Sequence, residues 1–297
     1  MKTNVLATVA LAAVAAIGGA RQAGANVFSD KFDARIVAEQ GSAPSLGAAS
    51  RPMGATSYVA FDGGYIEAGD SVAGDTPPSP EQVRTCVHDV LAEQGFSLSK
   101  GTPAVVLTYH WGVIRPDHIQ VRPPYAVKPN LLARIELVGT RKQAEEVENH
   151  LVAAKRGGGL NDEAAAPALL VGPEETVLEA ARQPRYFVIV SAYDYAALRK
   201  RQALLLWRVK ASARDVSGPM DSVLPSLLAA ASRYFGKDLP DALDIDVEPY
   251  ALQSRPDSTA AEIRAAQESS SLNRAFMDEL MRVEREKFSG LSDDDSA

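Results

Sequence analysis

The amino-acid sequence predicts an α+β domain: a small, mostly antiparallel sheet with helices packed on one face, an insertion, and a C-terminal helix. Three observations predict it. Tyr186–Ala192 and Leu204–Ala211 are apolar runs rich in β-branched and aromatic residues, and at that length strand is favoured over helix. Met220, Val223, Leu224, Leu227, Leu228, Ala231, Tyr234 and Phe235 then recur at helical spacing. A helix with such a stripe must bury it, and the apolar strand pair is the nearest surface.

Taken in order, residues 1–25 read as a secretory signal peptide. Lys2 supplies the charged start, Val5–Ile17 the apolar segment, and Ala23-Gly24-Ala25 the small-residue cleavage site, which leaves Asn26 as the mature first residue. Val5–Ile17 is short of the roughly 20 apolar residues a spanning helix needs, and no other segment of the mature chain is long and apolar enough. The chain therefore reads as periplasmic or secreted. Residues 26–56 are small and polar and read as a flexible lead-in. A single domain is expected over 57–250, with an insertion at 114–183, followed over 251–297 by a linker, a charged helix and an acidic disordered tail.

Within the domain, Ser57–Asp62 is a first strand and Gly63–Pro80 a long loop. Ser79 and Pro80 open a helix as N-cap and first helical residue, Val83, Cys86, Val87, Val90 and Leu91 form its apolar face, and Gly95 ends it. Ala104–Trp111 is a second strand, with Val105, Leu107, Tyr109 and Trp111 on one face and Val106, Thr108 and His110 on the other. In the insertion, Asn130–Val138 reads as strand or helical turn, and Thr140–Arg156 and Pro173–Arg182 as helices. In Leu204–Ala211 the alternation puts Arg208 and Lys210 on the solvated face or at its rim. The connector Asp194–Gln202 is too long for a tight hairpin and reads as a short loop or helical turn. Pro225 fits only a first turn, so the stripe helix is expected to start near Asp221 or Ser222 and to stop at Gly236. Thr259 and Glu262 have capping-box spacing, and a charged helix is expected from there to about Phe288, weakened at Ser269-Ser270-Ser271.

Charge narrows the partners. The chain holds 31 basic and 38 acidic residues, net −7. Loss of residues 1–25 removes Lys2 and Arg21 and no acid, so the mature balance is −9, which argues against nucleic acid or an anionic membrane surface. Cys86 is the single cysteine, so no intramolecular disulfide exists and the fold rests on its core.

The order of elements resembles that of exported bacterial envelope domains of unknown function, often lipoproteins, with a β-α-β-β-β-α order. The residues that carry the resemblance are Tyr58–Asp62, the helix Pro80–Phe96, Val105–Trp111, Asp194, and Leu206-Trp207-Arg208 followed by the helix ending at Gly236. The resemblance implies an envelope location and an α+β sandwich, and no reaction. The chain departs from the class in lacking a lipobox cysteine and in carrying the insertion.

No catalytic signature stands out. His110, Asp117 and His118 form the one compact metal-like set, and imidazole and carboxylate ligands with a water would make a hydrolytic centre. Their spacing matches no recognised ligand motif, and Asp117-His118 beside Pro116 reads as a loop. Cys86 and His88 point about 200° apart on their helix, so they form no nucleophile pair. There is no G-x-S-x-G elbow, and Gly157-Gly158-Gly159 lacks the rest of a phosphate loop. No cofactor motif is present. Tyr109, Trp111, Tyr193 and Trp207 are the aromatics best placed by type to line a concave ligand surface, although large strand aromatics usually belong to a core. The leading expectation is a non-enzymatic exported domain that binds or scaffolds an envelope protein partner. The alternatives are a metal-dependent hydrolase and a small-ligand binder built on the strand aromatics. The C-terminal region from Pro256 is expected to be dispensable for folding, its helix offering Leu272, Phe276, Leu280 and Val283 to a groove on a partner or on the domain itself.

Overall fold

A computed structural model describes residues 31–41, 56–69, 76–115, 129–156, 172–250 and 260–289. Its centre is a seven-stranded mixed sheet of order β3-β2-β4-β5-β6-β1-β7. The strands are β1 (Phe32–Gln40), β2 (Ser57–Ala68), β3 (Ser97–Leu98), β4 (Val105–Ile114), β5 (Arg185–Asp194), β6 (Leu205–Arg214) and β7 (Leu243–Val247). β2 runs parallel to β3 and β4, joined to them through helix α1 (Pro80–Glu93), and the ladders from β4 to β7 are antiparallel. The α+β class stands. The expected small, mostly antiparallel sheet with helices on one face is corrected to a large mixed sheet covered on both faces.

The alternation along each strand explains both layers. Leu107, Tyr109 and Trp111 of β4, Val188 and Val190 of β5, and Trp207, Val209 and Ala211 of β6 point to one face. There they meet α1 and α6 (Met220–Ser232) in the main core. The Ser79 capping box and Pro80 start α1 as the sequence requires, and Gly95 takes a φ of +81° after its end. α6 begins at Met220, earlier than expected, and carries Pro225 in its second turn. It has ended by Arg233, so Gly236 (φ +70°) sits in the following turn rather than at the helix stop.

The opposite face carries α2 (Pro129–Val138), α3 (Arg141–Arg156) and α4 (Pro173–Ala181) at one end, and α7 (Ala260–Ser269) and α8 (Arg274–Ser289) at the other. The region expected to be an insertion is therefore a full layer of the fold: Leu131, Ile135, Val147 and Val177 pack on Ile66, Phe187 and Ile189. Asn130–Val138, open between strand and helix in the sequence, is helical. The connector after β5 is α5 (Tyr195–Arg199), capped by the Asp194 carboxylate, which accepts from the Ala197 amide at 2.7 Å.

Three further expectations change. Residues 26–56 contain β1, which lies inside the sheet between β6 and β7, with Ile36 opposite Ala211 on one side and Leu243 on the other. β2 continues past Asp62 into the expected loop, through a bulge where Asp62 and then Gly64 pair with successive residues of β4. The C-terminal segment is no free arm. Its helix breaks at the serine run, and α8 buries Met277, Glu284 and Phe288 on the domain's own sheet while Val283, expected on the stripe, is 50% exposed. Residues 1–25, the Gly157–Gly159 run and the acidic tail lie outside the described residues.

Candidate functional site

On the second face three adjacent strands present polar side chains at alternate positions: Thr108 and His110 on β4, Ser191 and Tyr193 on β5, Arg208 and Lys210 on β6. They fall between the apolar cluster under α2 to α4 and the one under α7 and α8. A polar stripe in that position must be paired or it opposes folding. Glu284 of α8 supplies the pairing. Its Oε2 accepts from the Thr108 hydroxyl at 2.8 Å and lies 3.4 Å from His110 Nε2. Its Oε1 accepts from the Tyr193 hydroxyl at 2.6 Å and is in direct contact with the Arg208 guanidinium. Arg208 Nε in turn donates to Ser191 Oγ at 2.9 Å.

Burial alone would raise the Glu284 pKa. Hydrogen bonding from His110, the charge of Arg208 and the Tyr193 hydroxyl outweigh it and hold the carboxyl well below the usual carboxylate range. Burial, joined by the same carboxylate, pushes the Tyr193 phenol up. The next residue of α8, Arg285, donates through Nε at 3.1 Å to the carbonyl of Gly63 in the β2 bulge. The bulge also fixes His110. A Cβ on Gly63 would stand 2.1 Å from the His110 Cε1 atom, so only glycine lets the ring occupy this place.

Beside this cluster Lys210 is buried. Its ammonium donates to the carbonyls of Glu136 at 2.6 Å and Gly139 at 2.9 Å, and lies 3.4 Å from Glu39 Oε2. Arg35 Nε donates to the Val138 carbonyl at 2.9 Å. Two cations thus satisfy the carbonyls left open at the C-terminus of α2, where positive charge is favoured. Burial still lowers the Lys210 pKa to about 8, with Glu39 opposing the shift. The solvated position expected for Arg208 and Lys210 is corrected: α2 and α8 cover that face. A cavity of about 300 Å³ remains between Lys210, Arg208, Arg141, Glu148, Leu132 and Phe288. Side chains of both charges line it.

The strand aromatics singled out in the sequence are divided between the two faces of the sheet. His110 is fully buried against Glu284, while Asp117 and His118 lie outside the described residues. No group of three or more metal-ligating side chains forms among the described residues. Tyr109, Trp111 and Trp207 are buried in the main core, and Tyr193 points to the other side of the sheet, so the four share no concave surface. Tyr109 stacks on Trp111 at 6.2 Å and Trp207 on Phe235 at 5.0 Å. Cys86 lies in the core, where burial pushes its thiol up, and His88 points elsewhere as the helix geometry requires.

Sequence reasoning missed Glu284 as the centre of the site. One signal was present: along α8, Met277, Leu280 and Met281 are followed by Glu284 and then Phe288, so the acid stands in line with apolar positions. The other was the polar alternation repeated on three successive strands.

No protein-family model and no curated protein matches the chain. Among solved structures, a PDZ domain protein from Parabacteroides distasonis aligns with 74% of the chain at 9% identity and a TM-score of 0.37. This chain spans 39% of that protein's length. The PelC dodecamer of Paraburkholderia phytofirmans aligns with 69% of the chain and 99% of its own, at 11% identity and a TM-score of 0.28. Likeness at this level carries no functional argument.

Proposed function

We propose that the chain is an exported, non-enzymatic module that binds or scaffolds an envelope protein partner. One observation carries the non-enzymatic part of the reading. The Glu284 cluster engages itself: Glu284 is 5% exposed, and both its oxygens are taken by Thr108, His110, Tyr193 and Arg208. Such a set holds a helix on a sheet and presents no free nucleophile or base to a substrate. The export part rests on the tripartite pattern ending at Ala25. No helix among the described residues is long and apolar enough to cross a membrane. The net negative charge supports a protein partner over nucleic acid.

Fractionation of cells producing the full chain, with N-terminal sequencing of the recovered protein, tests export. A mature start at Asn26 is the expected result, and an intact Met1 on membrane-embedded material would sink it. Purified protein is then assayed for bound transition metal and for ester, peptide and phosphate hydrolysis. Turnover that disappears in a folded His110→Ala variant would overturn the non-enzymatic reading.

A further inference from the structure

Another cavity, of about 160 Å³, lies at the outer edge of β2. β3 pairs only with Ser57 and Tyr58, so beyond them this edge carries no further strand among the described residues. Helices close it instead. Gln267 of α7 donates to the Ala60 carbonyl at 2.6 Å, and Arg285 of α8 donates through Nε to the Gly63 carbonyl at 3.1 Å. Phe61 and Asp62, between those carbonyls in sequence, line the cavity. Its polar wall is completed by Arg84 from α1, Arg264 and Gln267 from α7, and Arg274 from α8; the rest is apolar.

Three guanidiniums carried by three helices therefore meet one carboxylate. Asp62 Oδ1 already accepts from the Gly64 amide at 2.8 Å, and Arg84 stands beside Asp62 and the Tyr109 hydroxyl. Arg274 lies 3.3 Å from Asp278, an exposed pair, and Arg264 has no ion pair among the described residues. Three positive groups and one negative leave the wall two charges positive, in a chain whose net charge is −7. Gathering like charge in one hollow opposes folding unless an anion from outside answers it. The space equals about five waters at roughly 30 Å³ each, which admits a tetrahedral oxyanion and little more.

We propose that this cavity binds a phosphate group, as the free ion or as the end of a small monoester, held by Arg84, Arg264 and Arg274. The planar fork of a guanidinium matches phosphate oxygens two at a time, and a wall of this charge suits a dianion. The first turn of α7 forms part of the wall through Ala260 and Ile263, and a helix N-terminus favours an anion. The site is selective by size and by charge: the cavity takes one phosphate group, and the negative charge of the rest of the chain repels a long polyanion.

The test uses the full chain at constant ionic strength, with inorganic phosphate as probe, glycerol phosphate as the ester and chloride as the control. Proton–nitrogen NMR of the arginine Nε–H groups is expected to show Arg84, Arg264 and Arg274 shifting to saturation with phosphate while Arg199 on α5 stays in place. Tighter binding of glycerol phosphate would identify an ester as the source, and equal or weaker binding the free ion. Arg264→Gln, an exposed change that breaks no ion pair, should weaken phosphate by about tenfold or more with the melting temperature unmoved. Asp62→Asn keeps an acceptor for the Gly64 amide and removes the opposing charge, so it should tighten phosphate severalfold. No saturable shift, an equal response to chloride, unchanged affinity in Arg264→Gln, or no gain in Asp62→Asn would each overturn the proposal.

Discussion

The Tyr193 hydroxyl on β5 donates a 2.6 Å hydrogen bond to the Glu284 carboxylate on α8, across 91 residues of chain. That bond, with those from Thr108 and Arg208, makes the last described helix part of the fold.

Glu284→Ala removes the partner of a buried guanidinium and should destabilise the protein by about 3–5 kcal/mol, because Arg208 is left charged and uncompensated. Chemical denaturation measures it. A loss under about 1 kcal/mol would show that the cluster is solvated.

The same carboxyl predicts a pH dependence. Its folded pKa is depressed, so the unfolded chain takes up a proton first as pH falls. Its contribution is fully present above the unfolded value of about 4.3 and drains away below it. The stability gap between the unaltered protein and Glu284→Gln should be flat near neutrality and shrink below about pH 4. A gap that instead widens in acid would mean the carboxyl is protonated in the folded state.

Gly63→Ala should be strongly destabilising for a residue that loses nothing, since the added methyl overlaps the His110 ring against a rigid strand. A melting temperature within error of the unaltered protein would show that β2 shifts freely at the bulge.

Trp207→Ala should cost about 3–5 kcal/mol. The indole is 8% exposed and stacks on Phe235 at the end of the α6 segment. An unchanged melting temperature would place the ring on the surface.

A chain ended at Tyr250 should aggregate or melt well below the full chain. It loses Met277 and Phe288, uncovers Val59, Phe61 and Val106, and leaves Arg208 without its carboxylate. Retention of the full melting temperature would restore the idea that the C-terminal helix serves only a partner.

What could be read without coordinates was whatever depends on neighbours in sequence. The strand-face alternation of β4, the Ser79 and Pro80 start of α1, the apolar stripe of α6 and the break at Ser269–Ser271 all follow from residues a few positions apart, and all stand. β1 was legible too, in Phe32, Ala34, Ile36 and Ala38 alternating with Asp33, Arg35 and Glu39 and broken only by Val37, but the small-residue stretches on either side hid it. The size of the sheet and the second helical layer were decided only in three dimensions. Arg208 and Lys210 look solvated by alternation alone, because alternation reports which way a side chain points and not what covers it. Glu284 arrives from 76 residues away to pair Arg208, and the carbonyls of α2 arrive from 74 and 71 residues away to hold Lys210. A polar residue is placed inside or outside by whether its partner comes to it, and that partner is chosen by topology.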